Sequence, residues 1–248
     1  MESPSELCSI RDSTFESGQA IDGAIYAQSV TNNLAISDCK FINCASSTTG
    51  SAIYSAAGIF NIHSCDIIFE ETSTIQCRGI FVKDKADVTI SQVNLINCKS
   101  SGTGGGLNID FTTGNREESL LINTCLIDNA DGTNGCAAMI NTNFAPDIDG
   151  LTIRNCTSGR YVFCIFFTTY VYEAKIKNCI FENNEFANNA YPPIPDGGGS
   201  GVWIANNGIR DDDKEKHLIF EGCTWLNNRV KDNSALKYGG GFSLGTSL

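Results

Sequence analysis

The sequence is short of several things, and each shortage removes a class of protein. Only two histidines occur, His63 and His217, far apart, and no CxxC or CxxCH spacing is present. A Cys/His zinc site or a haem attachment therefore has no motif to rest on. No run approaches the roughly 18 apolar residues that a membrane-crossing helix needs. The opening residues, MESPSELCSI, lack a basic region followed by an apolar one, so they do not read as a signal peptide. Positive charge is scarce: 17 Lys and Arg stand against 28 Asp and Glu, a net charge of −11. That balance argues against nucleic acid or an anionic membrane as partner. No phosphate-cradling glycine loop or nucleophile elbow appears. Nor does any helix-period segment separate the apolar stretches, which disfavours a doubly wound α/β sheet.

What is present is repetition. An apolar-x-apolar step recurs along the 248 residues as Cys8/Ile10, Leu34/Ile36, Phe60/Ile62, Val88/Ile90, Leu120/Ile122, Leu151/Ile153, Ala174/Ile176 and Leu218/Phe220. Alternation of this kind marks a strand with one face buried. Three residues on stands a column in which Cys39, Cys65, Cys125, Cys156, Cys179 and Cys223 are joined by Ser13 and Val93. An apolar column follows, and then one holding Asn43, Asn97, Asn129, Asn183 and Asn227, with Ser17, Phe69 and Arg160 as exceptions. A later strand recurs as GAIY, SAIY, GIFV, GLNI, AAMI, FCIF, GVWI and GFSL.

The steps between repeats are 26, 26, 28, 32, 31, 23 and 44 residues, so loop length varies while the columns persist. A sandwich or barrel has no need for like residues at like places in every repeat. A right-handed parallel β-helix does, because the same position in successive coils stacks at about 4.8 Å. The expectation is an all-β, single-domain right-handed parallel β-helix over residues 1–248, of about eight coils and without significant helix. The absence of a polar cap after GGGFSLGTSL suggests a piece of a longer repeat protein, with further repeats as its neighbours.

The paired short motifs, Phe-x-x-Asn as in Phe181 to Asn184 and segments such as DGAIY and GSAIY, resemble the repeats of the polymorphic outer-membrane protein family. That family is best known from chlamydial autotransporter passengers, and similar repeats occur in parasitic protists. The resemblance covers nearly the whole chain. It implies a pectin-lyase-like β-helix working as an adhesin at a cell surface.

The cysteine column reads first as small polarizable residues filling a tight corner; disulfides or metal ligation are the alternatives. The asparagine column reads as a buried amide ladder, and Asn155-Cys156-Thr157 is the single glycosylation sequon in its vicinity. Long connections are expected at 110–119, 141–150, 167–173 and 205–217, leaving one corner and clustering on one flank. That flank would carry Arg116, Asp147, Asp149, Tyr170, Tyr172, Asp211, Asp212 and Asp213. Aromatics beside acids could hold a glycan or Ca²⁺; a solvated charged edge is the plainer alternative. The expected function is a non-catalytic cell-surface adhesion or interaction module, extracellular, binding a glycan or protein ligand and needing no resident cofactor. The competing class is a carbohydrate-active β-helix enzyme, whose paired carboxylates would have to come from the same loops.

Overall fold

The computed structural model describes residues 7–17, 19–20, 23–28, 33–46, 51–56, 58–71, 77–83, 87–111, 119–159, 161–167, 173–186, 202–206, 217–230 and 242–245. Among them there is no helix, and parallel strands stack as a β-solenoid of about five turns. The strands fall into sheets of 14, 8, 5 and 2 strands.

Two inward columns explain why these residues form these strands. Ile36, Ile62, Ile90, Ile122, Ile148 and Ile176 lie in register from coil to coil, and none is more than 1% exposed. Phe41, Ile67, Leu95, Ile127, Ile153 and Phe181 form the next column, each 0% exposed. Burying each such side chain contributes about 1.5–3 kcal/mol, and the period of two leaves the residues between them facing out. The third side is the eight-stranded sheet, whose members include Ile25–Ala27, Ser51–Ser55, Arg78–Lys83, Ala138–Thr142 and Val202–Asn206. These coincide with the small-then-apolar segments of the sequence.

The chain turns through a residue with positive φ between the two inward columns, and again just past the second. The first corner is occupied by Asp12, Asp38, Ser64, Gln92, Thr124, Gly150, Asn178 and Gly222, with φ from 49° to 70°. Five residues later comes the second, at Ser17, Asn43, Asn97, Asn129, Asn155, Asn183 and Asn227, with φ from 52° to 59°. The left-handed conformation is disfavoured for L-residues except Gly and, to a lesser degree, Asn and Asp.

The cysteines are placed by these corners. Cys39, Cys65, Cys125, Cys179 and Cys223 each follow a first-corner residue, whereas Cys44, Cys98 and Cys156 follow a second-corner Asn. Just past the bend, the thiol reaches back to the carbonyl two residues earlier. The Sγ atoms of Cys39, Cys65, Cys125, Cys156 and Cys179 donate to the carbonyls of Ser37, His63, Asn123, Arg154 and Lys177 at 3.1, 3.2, 3.4, 3.1 and 3.1 Å. Ser13 does the same with its hydroxyl, 2.7 Å from the Arg11 carbonyl. The position thus takes a small donor, and all twelve cysteines are free thiols.

The structure re-registers one repeat. Ile127 pairs with Ile153, and Ile122 with Ile148. Leu151/Ile153 is therefore not the first strand of its coil; Asp147–Asp149 is. Ile148 follows Ile122 by 26 residues and precedes Ile176 by 28, a more even spacing than the sequence alignment gave. Three expectations change with it. Leu151 stands between Cys125 and Cys179 in the first cysteine column, and Cys156 belongs to the second corner. The place assigned to Arg160 among the asparagines belongs to Asn155. Residues 147–149 are strand, not loop. The misreading arose because Asp-Ile-Asp-Gly looks like a polar turn until Ile148 is seen to be the inward residue of a strand and Gly150 its left-handed corner.

The asparagine column also differs from expectation in its surroundings. Asn43, Asn97 and Asn129 are half-buried, and Asn183 and Asn227 exposed. The amide that is fully buried comes one position later: Asn184, 0% exposed, donates to Asn228 Oδ1 and to the Ile153 carbonyl, and its Oδ1 accepts from the Cys156 amide at 2.9 Å.

Candidate functional site

The outward residues of the first strands and of the second strands form neighbouring charged columns. On the first strands, Asp147 faces Lys175, and Asp149 faces Lys177, which in turn faces Glu221. On the second strands, Asp128 lies opposite Arg154, and Arg154 opposite Glu182. Acid meets base at each of these steps, because stacked rungs bring outward side chains within ion-pair reach.

Among these facing pairs, Asp128 and Arg154 close as an ion pair. Arg154 holds Asp128 through a 2.8 Å ion pair, and that hydrogen-bonded carboxylate pushes the guanidinium pKa up. Asp128 also accepts from the Asn155 amide at 2.8 Å, so the side-chain nitrogen of the sequon is engaged with the neighbouring coil. Asp149 accepts from Asn178 at 2.8 Å. Glu173 pairs with Lys175 and raises its pKa, with smaller help from Glu221 and Asp147.

The predicted flank meets the structure at two residues. Asp147 and Asp149 share the outer face of the strand Asp147–Asp149, one exposed and one half-buried. Arg116, Tyr170, Tyr172, Asp211, Asp212 and Asp213 lie outside the described residues, as do most of the long connections. Among the described residues, no group of three or more His, Cys, Asp and Glu side chains could hold a metal ion. Burial pushes the thiols of Cys65 and Cys179 up to about 11 and about 12, so they are poor nucleophiles and poor metal ligands near neutrality.

Sequence reasoning passed over a second outward feature. On the eight-stranded sheet, Tyr26, Tyr54 and Phe81 occupy one column, as do Met139, Cys164 and Trp203 further along. Tyr26 and Tyr54 stack at 4.8 Å between ring centroids, and Phe81 meets Tyr54 edge-on at 5.4 Å. At the other end, Trp203 stacks on Tyr161 at 4.5 Å. The signal was the aromatic after the inward Ile or Val in GAIY, SAIY and GVWI. One face of Tyr26 and one of Tyr54 are taken up by each other.

A scan against protein-family models, a search of curated proteins and a search of solved structures each returned no match. The arrangement is chemically suited to polar and ionic contact spread over several rungs. Asp128 is matched to Arg154 and Asn155, and Asp149 to Asn178.

Proposed function

We propose that this chain is a non-catalytic adhesion or interaction module displayed at a cell surface, a right-handed solenoid of eight coils in one domain. One coil for each strand of the eight-stranded sheet is what supports that count. The near-universal right-handed preference of parallel crossover connections supports the handedness.

One observation carries the functional reading: along the described charged columns, Asp128 is met by a cation and Asp149 by an amide of the adjoining coil, while Asp147 lies opposite Lys175 in register. A hydrolase or lyase needs carboxylates, or a carboxylate and a base, set apart with room for substrate between them. Side chains compensated rung by rung instead make a rigid, patterned exterior, which suits recognition of an extended protein or glycan by many modest contacts.

The purified chain would be tested on a glycan array and against intact cells, with and without Ca²⁺, alongside a release assay on acidic polysaccharides. Saturable binding without chain cleavage supports the module. Turnover of any polysaccharide, abolished by Asp147→Asn or Asp149→Asn, would replace it with the enzyme.

A further inference from the structure

The two ends of the described solenoid complement each other. At one end, Cys8, Ile10, Phe15, Ile25 and Leu34 line a concavity of about 440 Å³, and Leu7 and Tyr26 beside it are 64% and 43% exposed. At the other end, Leu218, Phe220, Cys223 and Trp225 pack on the core but are only partly covered. Among the described residues, the strands Leu7–Arg11, Thr14–Glu16 and Ile25–Ala27 each have one sheet neighbour, and so do His217–Glu221, Thr224–Leu226 and Phe242–Gly245. Edge strands with a free side are templates for further pairing.

We propose that the chain associates head to tail with a second copy of itself, the last described coil of one copy stacking on the first described coil of the next. The register is the one that already joins coil to coil. Leu218 would then meet Cys8, Phe220 would meet Ile10, and Trp225 would lie on Phe15. The internal rungs show the same pairings at work: Trp225 stacks on Phe181 at 5.7 Å and Phe15 on Phe41 at 4.8 Å.

Charge selects this partner over an arbitrary apolar one. The outward column Asp149, Lys177, Glu221 alternates in sign. The residue at the equivalent position of the first coil is Arg11, which is exposed. A second copy therefore extends the alternation with a base next to Glu221. The other exposed columns meet without like charges: Ile219 with Ser9, Thr224 with Thr14 and Leu226 with Glu16. Such a contact is heterologous and does not close, so it builds linear oligomers. It is independent of the ligand proposed above.

The test is sedimentation velocity of the whole chain from about 1 µM to about 1 mM, spanning moderate to weak association. The wild type is expected to sediment faster as concentration rises. Arg11→Glu and Glu221→Arg each place like charges at the junction and should weaken self-association about tenfold or more. Mixing the two variants restores opposite charge at every mixed junction, so the mixture should associate where neither variant does alone. Both positions are exposed, and unchanged far-UV circular dichroism would confirm that the variants fold. A chain that stays monomeric throughout, as expected if these ends are reserved for other coils or a different protein, overturns the proposal. So does association that ignores both substitutions, or a mixture that fails to recover it.

Discussion

The two corners of each coil share a backbone and differ in sequence. Both are left-handed, with φ near 50° to 60° at most positions. Yet the first is filled by Asp, Ser, Gln, Thr, Asn and Gly, and the second by Asn almost throughout. Conformation alone therefore does not select Asn. What distinguishes the second corner is how regularly its side-chain amides reach the adjoining coil. Asn129 donates to Asn97 at 2.8 Å, Asn97 to the Phe69 carbonyl at 2.7 Å, and Asn227 to Asn183 at 3.2 Å. At the first corner such bonds are fewer and join unlike residues: Ser64 bonds Gln92 and Asn178 donates to Asp149, whereas Thr124 bonds its own neighbour Asn123. A backbone requirement admits several residues; the same requirement combined with an amide bond repeated from coil to coil admits nearly one.

The strongest way to break both corners at once is to remove what lies between them. Phe181 is 0% exposed and contacts Phe163 and Trp225, each at 5.7 Å. Phe181→Ala should cost about 3–5 kcal/mol, read as a fall in the urea midpoint. A loss below about 1 kcal/mol would mean that the column is not the core.

Substitutions at the corners themselves should sharpen the contrast. Asn129→Val places a β-branched residue at φ 55° and deletes the amide bond to Asn97; about 2–3 kcal/mol should be lost. Glycine then separates the two effects. Asn129→Gly keeps the backbone and loses the bond, for about 1 kcal/mol of destabilisation. Thr124→Gly relieves a β-branched residue at φ 52° and should stabilise by about 0.5 kcal/mol once the entropy of the unfolded chain is included. Equilibrium denaturation of the pair decides: glycine effects of the same sign at both corners would remove the distinction drawn here.

The smallest effect at neutral pH concerns the thiols behind the first corner. Burial raises Cys65 from 9.0 to about 11 and Cys179 from 9.0 to about 12. Both ionise later in the folded chain than in the unfolded one. Their stabilising share is whole below about 9 and is lost as pH climbs toward 11 and 12. Urea midpoints measured upward from neutrality should fall above that lower limit, less steeply in Cys179→Ser. Identical profiles for the two proteins would count against buried, late-ionising thiols.

How much of this was legible depended on how many constraints met at one residue. The inward Ile column was readable because period two and burial coincide there. The second corner was readable because its Asn repeats. The first corner was invisible: Asp38, Ser64, Gln92 and Thr124 share a dihedral angle and no chemistry. Without it, the strand around Ile148 looked like a loop, and the register slipped by five residues onto Leu151 and Ile153. The charged outer columns were likewise hidden, because a pairing such as Asp128 with Arg154 depends on which coil lies above which. The outward tyrosines were in plain view in GAIY and SAIY, but nothing in the sequence said which way their rings turn.

The corners have one further consequence. Thr124 and Gly150 are equivalent points on adjoining coils, their amide nitrogens each bonded to the same place one coil on, Asp149 and Lys177. Excising residues 124–149 would join Asn123 to Gly150 and leave the path of the chain unchanged at the seam. The molecule is in this sense a tape measure: its cross-section is set by two bends and three inward walls, while its length is a quantity that whole-coil deletion or duplication can alter without redesigning either.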